Sequence, residues 1–157
     1  AFDIPNSIGF GASYVKNNKM TLAADVLYET WDKAYYDDSK DSFKNRVRVA
    51  AGGEFIPNYQ NRNFFGRVRY RAGAHYSNSY LMINNTDDAA YKGNGYNEYG
   101  VSVGFGLPLV DNRSLVNVSF EYTKINPSGK NMIDEQYFRF TVNYTFNEMW
   151  FWKKKVD

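Results

Sequence analysis

The stretch Glu135-Gln136-Tyr137-Phe138-Arg139-Phe140-Thr141-Val142-Asn143-Tyr144-Thr145-Phe146, near the end of the chain, decides the fold. Phe138, Phe140, Val142, Tyr144 and Phe146 alternate with Tyr137, Arg139, Thr141, Asn143 and Thr145. Successive side chains of a strand point to opposite faces, so residues 133–146 read as a strand with one apolar and one polar face. A soluble sheet packed on a core alternates in the same way. Three features point to a bilayer instead. The apolar face is about five residues long, which suits a tilted strand crossing hydrocarbon. It runs into an aromatic cluster, Trp150-Phe151-Trp152, of the kind that sits at a membrane interface. A basic tail, Lys153-Lys154-Lys155, follows directly.

Composition agrees with this reading. The 157 residues allow one domain. Mean hydropathy is negative, but a barrel places apolar residues only at alternate positions, so whole-chain hydropathy understates it. The 14 Tyr and 12 Phe need a role, and interfacial belts supply one. There is no run of 18 apolar residues and so no transmembrane helix. No cysteine is present, which excludes thiolate sites and disulfides. A net charge of +2 gives no reason to expect nucleic acid.

The same alternation recurs upstream. Residues 4–16, 20–31, 43–56, 64–81, 98–110 and 115–125 read as six further strands. Ile8, Phe10, Ala12 and Tyr14 form the outward face of the first, and Leu22, Ala24, Val26 and Tyr28 that of the second. The connections alternate short (near 18, 60 and 112) and long (near 37, 90 and 129), as periplasmic turns and external loops of an outer-membrane barrel do. The expected fold is all-β, with about seven antiparallel transmembrane strands in the bacterial outer membrane. Single-chain bacterial barrels have an even strand count. Seven strands therefore imply that Ala1 is not the native start and that the chain is the C-terminal part of a larger barrel. An unrecognised eighth strand in a small complete barrel is the other reading.

Some motifs suggest a family. Pro5-Asn6-Ser7-Ile8-Gly9-Phe10-Gly11-Ala12-Ser13-Tyr14, Leu22-Ala23-Ala24-Asp25-Val26 leading to Trp31, Gly104-Phe105-Gly106-Leu107-Pro108 and the aromatic last strand resemble the FadL-type outer-membrane transport proteins. The resemblance implies a fourteen-stranded barrel, of which this chain would be the C-terminal half. It also implies passage of hydrophobic small molecules such as fatty acids, with plug and gate outside this sequence. No ligand-binding residue can be carried over.

The polar face carries its own signal. Asp25, Glu29, Glu54, Glu98, Glu121 and Glu135 face inward with Arg46, Arg48, Arg67, Arg69, Arg71 and Arg139. Six acids against six bases imply mutual pairing. Hairpin registers set Glu29 beside Arg46, Glu54 beside Arg67 and Glu121 beside Arg139, as cross-strand ion pairs filling a lumen. The alternative use of Arg69 or Arg71 is to grip a substrate carboxylate. Gly100, Gly104 and Gly106 are expected to make room for Arg67 to Arg71. His75 is the one histidine, and neither Ser77 nor a Gly-x-Ser-x-Gly turn supplies a nucleophile arranged around it. Catalytic residues, metal and cofactor are thus expected to be absent. Asp37, Asp38, Asp41, Asp87 and Asp88 have no calcium-loop spacing and read as solvated loop acids. Expected partners are outer-membrane lipid, a hydrophobic ligand or detergent, and other outer-membrane proteins. Two functions stand in order: a channel for hydrophobic molecules, then a structural subunit of an outer-membrane complex with a charge-filled lumen. A barrel enzyme ranks below both.

Overall fold

The computed structural model describes residues 4–33, 43–58, 60–82, 95–109, 114–128 and 133–146. Seven strands form one antiparallel sheet in sequence order: β1 Asn6–Lys16, β2 Met20–Thr30, β3 Arg46–Phe55, β4 Arg69–Asn78, β5 Tyr96–Pro108, β6 Leu115–Pro127 and β7 Glu135–Thr145. Each strand pairs with its sequence neighbours. Among the described residues no ladder joins β1 to β7, so the sheet is not closed into a barrel. No described helix is long and apolar enough to cross a membrane.

The sheet has no hydrophobic core on either side. Val68 is the one buried hydrophobic residue among those described. The outward rows are apolar and exposed instead. The registers align Tyr14, Leu22, Gly53, Ala72, Val103, Phe120 and Phe140 into one row across all seven strands. The next row holds Ala12, Ala24, Ala51, Ala74, Val101, Tyr122 and Phe138. Phe138 is 81% exposed and Phe10 76%. Along β5 the apolar face from Tyr99 to Leu107 spans about 27 Å at the usual rise per residue. That matches the roughly 25 Å apolar band of transmembrane barrels.

The polar face is the more enclosed one. Gly100, Gly104 and Gly106 of β5 are buried while their neighbours Tyr99, Val101, Val103 and Phe105 are exposed. Among the described residues nothing is packed over the polar face, and the shape of the sheet itself encloses it. Arg48 of β3 and Arg139 of β7 line one cavity of about 590 Å³. Four strand spacings would hold them about 19 Å apart in a flat sheet. The sheet therefore curls with its polar face concave.

Local chemistry sets the turns. Asn17 and Asn18 both have φ of 52° at the centre of the β1–β2 turn, which Lys19 closes by donating its N–H to the Lys16 carbonyl at 3.0 Å. Positive φ at both central positions is the mark of a type I′ hairpin, and Asn tolerates it. The β3–β4 connection departs from expectation. Residues 64–67 form one helical turn, α1 (Phe64–Arg67), not the start of β4. The Asn63 side chain accepts the Phe65 N–H, and Asn58 N–H reaches the Gly66 carbonyl at 2.8 Å. These bonds satisfy backbone groups that a strand would have sent to β3. At its other end β4 stops at Asn78. The Asn78 side chain accepts from Val47 N at 2.6 Å and donates to the Asn45 carbonyl, interrupting the ladder before an isolated Phe43–Leu81 bridge.

Replacing Asn17 by Val forces a β-branched residue into left-handed backbone. We expect a loss of about 1–2 kcal/mol, read as a lower urea midpoint for the protein folded in detergent or lipid.

Candidate functional site

The polar face is the candidate site, and glycines decide how its long side chains lie. The registers set Gly106 opposite Arg69, Gly104 opposite Arg71 and Gly100 opposite His75. A β-carbon at Gly106 would stand 3.1 Å from the Arg69 Cβ and 3.3 Å from the Asn117 Oδ1. Arg71, opposite Gly104, reaches across β5. Its Nε donates to Glu54 Oε2 at 2.7 Å and its Nη1 to Asn117 Oδ1 at 2.7 Å. One guanidinium so ties β3 to β6 from its seat on β4. Arg69 adds a looser contact to Glu54 at 3.8 Å. At Gly100 a β-carbon would meet the His75 Nε2 and Thr123 Oγ1, each at 2.9 Å.

Glu29 and Arg46 are direct neighbours at 3.6 Å, as are Glu121 and Arg139 at 3.3 Å. Glu54 stands opposite Arg71, not Arg67. The slip is four residues, 71 − 67, equal in length to α1, which removes 64–67 from the strand. Asp25 lies between Gly11 and Ala50, with no charged cross-strand neighbour. Glu135 accepts the Tyr137 hydroxyl. Arg48 stands between Leu27 and Ser77 and lines the large cavity with His75, Glu98, Glu121, Thr123, Tyr137 and Arg139. Arg67 ends α1 and belongs to the turn.

His75 Nε2 is 3.3 Å from Glu98 Oε1. A histidine–carboxylate pair can pass a proton, but the neighbouring hydroxyls are committed. Ser77 Oγ accepts from Arg46 Nε at 3.0 Å and donates to the Asn78 carbonyl, and Thr123 Oγ1 donates to Glu121 Oε1. Among the described residues no cluster of three acids or histidines is arranged to hold a metal ion. The loop acids Asp37, Asp38, Asp41, Asp87 and Asp88, the Trp150–Trp152 aromatics and Lys153 to Lys155 lie outside the described residues.

An aromatic cap at the loop end is absent from the sequence reading. Trp31 stacks on Tyr80 at 4.3 Å, and Phe43 lies 5.9 Å from Trp31. The Trp31 indole N–H donates to Glu29, and the Arg46 guanidinium sits 6.0 Å over the Tyr80 ring. Trp31 at a strand end was the visible sign of it. Its partners come from two other segments, which only the registers bring together.

Comparison with known proteins now decides the family. A family model, BamG, matches residues 1–157. The chain belongs to the BamG family. BamG is a family associated with the BAM complex, and membership carries outer-membrane association with it. Searches of the curated proteins and of the solved structures found no match. The FadL-type resemblance is overturned by this match. With it fall the derivation of the chain as the C-terminal half of a fourteen-stranded FadL barrel and the expectation of a transporter or channel for fatty acids. The motifs behind it reflect an alternation of small and aromatic residues that is not specific to one family.

Removing Arg71 by R71A should cost about 1–2 kcal/mol through its two charge-assisted bonds, part of which solvent recovers. The exchange Glu54→Arg with Arg71→Glu should recover more than half of the loss caused by either reversal alone. Urea unfolding of the parent, R71A, the two single reversals and the double exchange measures both.

Proposed function

We propose that this chain is an accessory, non-catalytic subunit of the BAM complex, seated in the outer membrane as part of a transmembrane β-barrel wall. The observation that carries the reading is the inversion of the sheet. Its exposed face is apolar across all seven strands, and its concave face is closed by charges that answer one another. Monomeric soluble proteins rarely expose so continuous an apolar surface. Hydrocarbon accepts it without penalty, and strand lengths of 10–13 residues suffice to cross a bilayer when tilted.

The concave face supports a structural role over passage of a solute. A conduit for hydrophobic molecules needs an apolar path, whereas Arg71 bridges β3 to β6 and Arg139 bridges β7 to β6 across this face. Such ties hold neighbouring strands in register. An accessory subunit needs that rigidity to present a fixed surface to other outer-membrane proteins.

Two measurements test the proposal. Affinity purification of the tagged chain from outer membranes in mild detergent should recover the other BAM subunits in fixed proportion. Recovery of the chain alone sinks the subunit reading. Val103→Arg, in the middle of the outward face, should cost about 2–4 kcal/mol of folding in lipid, as a cation at the bilayer midplane does. Val103→Ile in the same assay should be neutral. An equal tolerance of both would show that this face does not meet hydrocarbon.

A further inference from the structure

The edges of the sheet carry a consequence for how the subunit docks, one that rests on the membrane-seated reading above. Among the described residues β1 pairs only with β2, and β7 only with β6. In hydrocarbon no water satisfies the N–H and C=O groups of a free edge, so open sheet edges do not occur there. Both edges need a strand beside them.

Direction limits the choice. Every neighbouring pair is antiparallel, so six reversals leave β1 and β7 running the same way. Closing β1 on β7 therefore makes a parallel pair. Joining two copies does the same, because copies inserted alike are related by an axis along the membrane normal, which preserves strand direction. Outer-membrane barrels are antiparallel, and parallel pairs are slightly less stable per residue. The two described edges offer each other no antiparallel partner, so an antiparallel neighbour lies outside these seven strands.

β1 is the edge suited to receive it. Natural edges are blunted with charge, proline or bulges. β1 keeps unbroken register with β2 over eleven residues, with no bulge and no proline. Its one charge is Lys16, at the turn end, and none lies from Asn6 to Val15, whereas every other strand holds a charged residue in its interior, from Asp25 in β2 to Arg139 in β7. Ile8 and Phe10 are 73% and 76% exposed on one side, and Ser7, Gly9, Gly11 and Ser13 leave the other side unobstructed. We propose that β1 pairs edge to edge, antiparallel, with a membrane-spanning strand of a different outer-membrane protein. That strand's apolar residues would continue the Ile8–Tyr14 face, and its small or polar residues the Ser7–Ser13 face.

The chain has no native cysteine, so single thiols are unique. Ser7→Cys and Ser13→Cys variants of the full chain, labelled with a benzophenone maleimide, are irradiated in native outer membranes and the adducts mapped by mass spectrometry. A Ser13→Cys/Ala23→Cys pair, opposite each other in the β1–β2 register, reports correct folding by its reaction with a short bifunctional thiol reagent. Expected are adducts of both positions to one strand of one other outer-membrane protein. Moving from 7 to 13 should shift the attachment by the same number of residues in the reverse direction. Attachment to β7, to another strand of this polypeptide or to a second copy overturns the proposal. So does a shift in the same direction, or no adduct while the 13–23 pair still reacts. Purification of the complex from the same membranes separates the two ideas. A β1–β7 adduct in an intact BAM complex removes the docking edge and leaves the subunit role. Absence of BAM subunits removes that role whatever β1 attaches to.

Discussion

The charged side chains on the polar face of this sheet pair with one another across strands. The rest of this structure depends on that constraint. Its clearest expression is the Arg71 guanidinium, which spans from Glu54 on β3 to Asn117 on β6. It crosses β5 where Gly104 stands opposite Arg71 and Gly106 opposite Arg69. Arginine suits the task. Its planar fork presents several donors in fixed geometry, so one side chain satisfies a carboxylate and an amide at once. The glycines of β5 weaken that strand's intrinsic preference for extended structure, a cost offset by the bonds they admit.

The same constraint organises the ends of the sheet. Near the long connections, Glu29, Arg46 and Ser77 join beneath the Trp31–Tyr80 stack, so the polar face ends in an aromatic lid. Near the short turns, Asn side chains do the work: Asn17 and Asn18 by accepting left-handed backbone, Asn63 by capping one helical turn. The sheet is held by ladders and polar cross-ties, a distribution that a protein resting on a core does not show. BamG membership associates this sheet with the outer membrane.

The family was misread because the motifs that suggested FadL report on barrel-type strands in general. Pro5 to Tyr14 alternates small residues with larger ones and the last strand is aromatic, a pattern that any strand with one apolar and one polar face shares. Alternation states which solvent a face meets. It does not state which protein carries it. Charge pairing was legible where turn length was legible, at Glu29 with Arg46 and Glu121 with Arg139. It failed for Glu54, because nothing in the alternation of Phe64 to Tyr70 marks the turn that Asn63 starts.

By itself, the sequence determined the seven strands, their antiparallel order and which side of each is apolar. Those follow from a period of two and from turn residues, both local properties of the chain. Only the tertiary structure decided which acid meets which base across β3 and β4, that Trp31, Phe43 and Tyr80 converge, and that Arg48 shares a cavity with Arg139 four strands away. Among the described residues it also leaves β1 and β7 at the two ends of the sheet. These depend on register and curvature, which arise from the length of each connection and from the sum of contacts across strands distant in sequence.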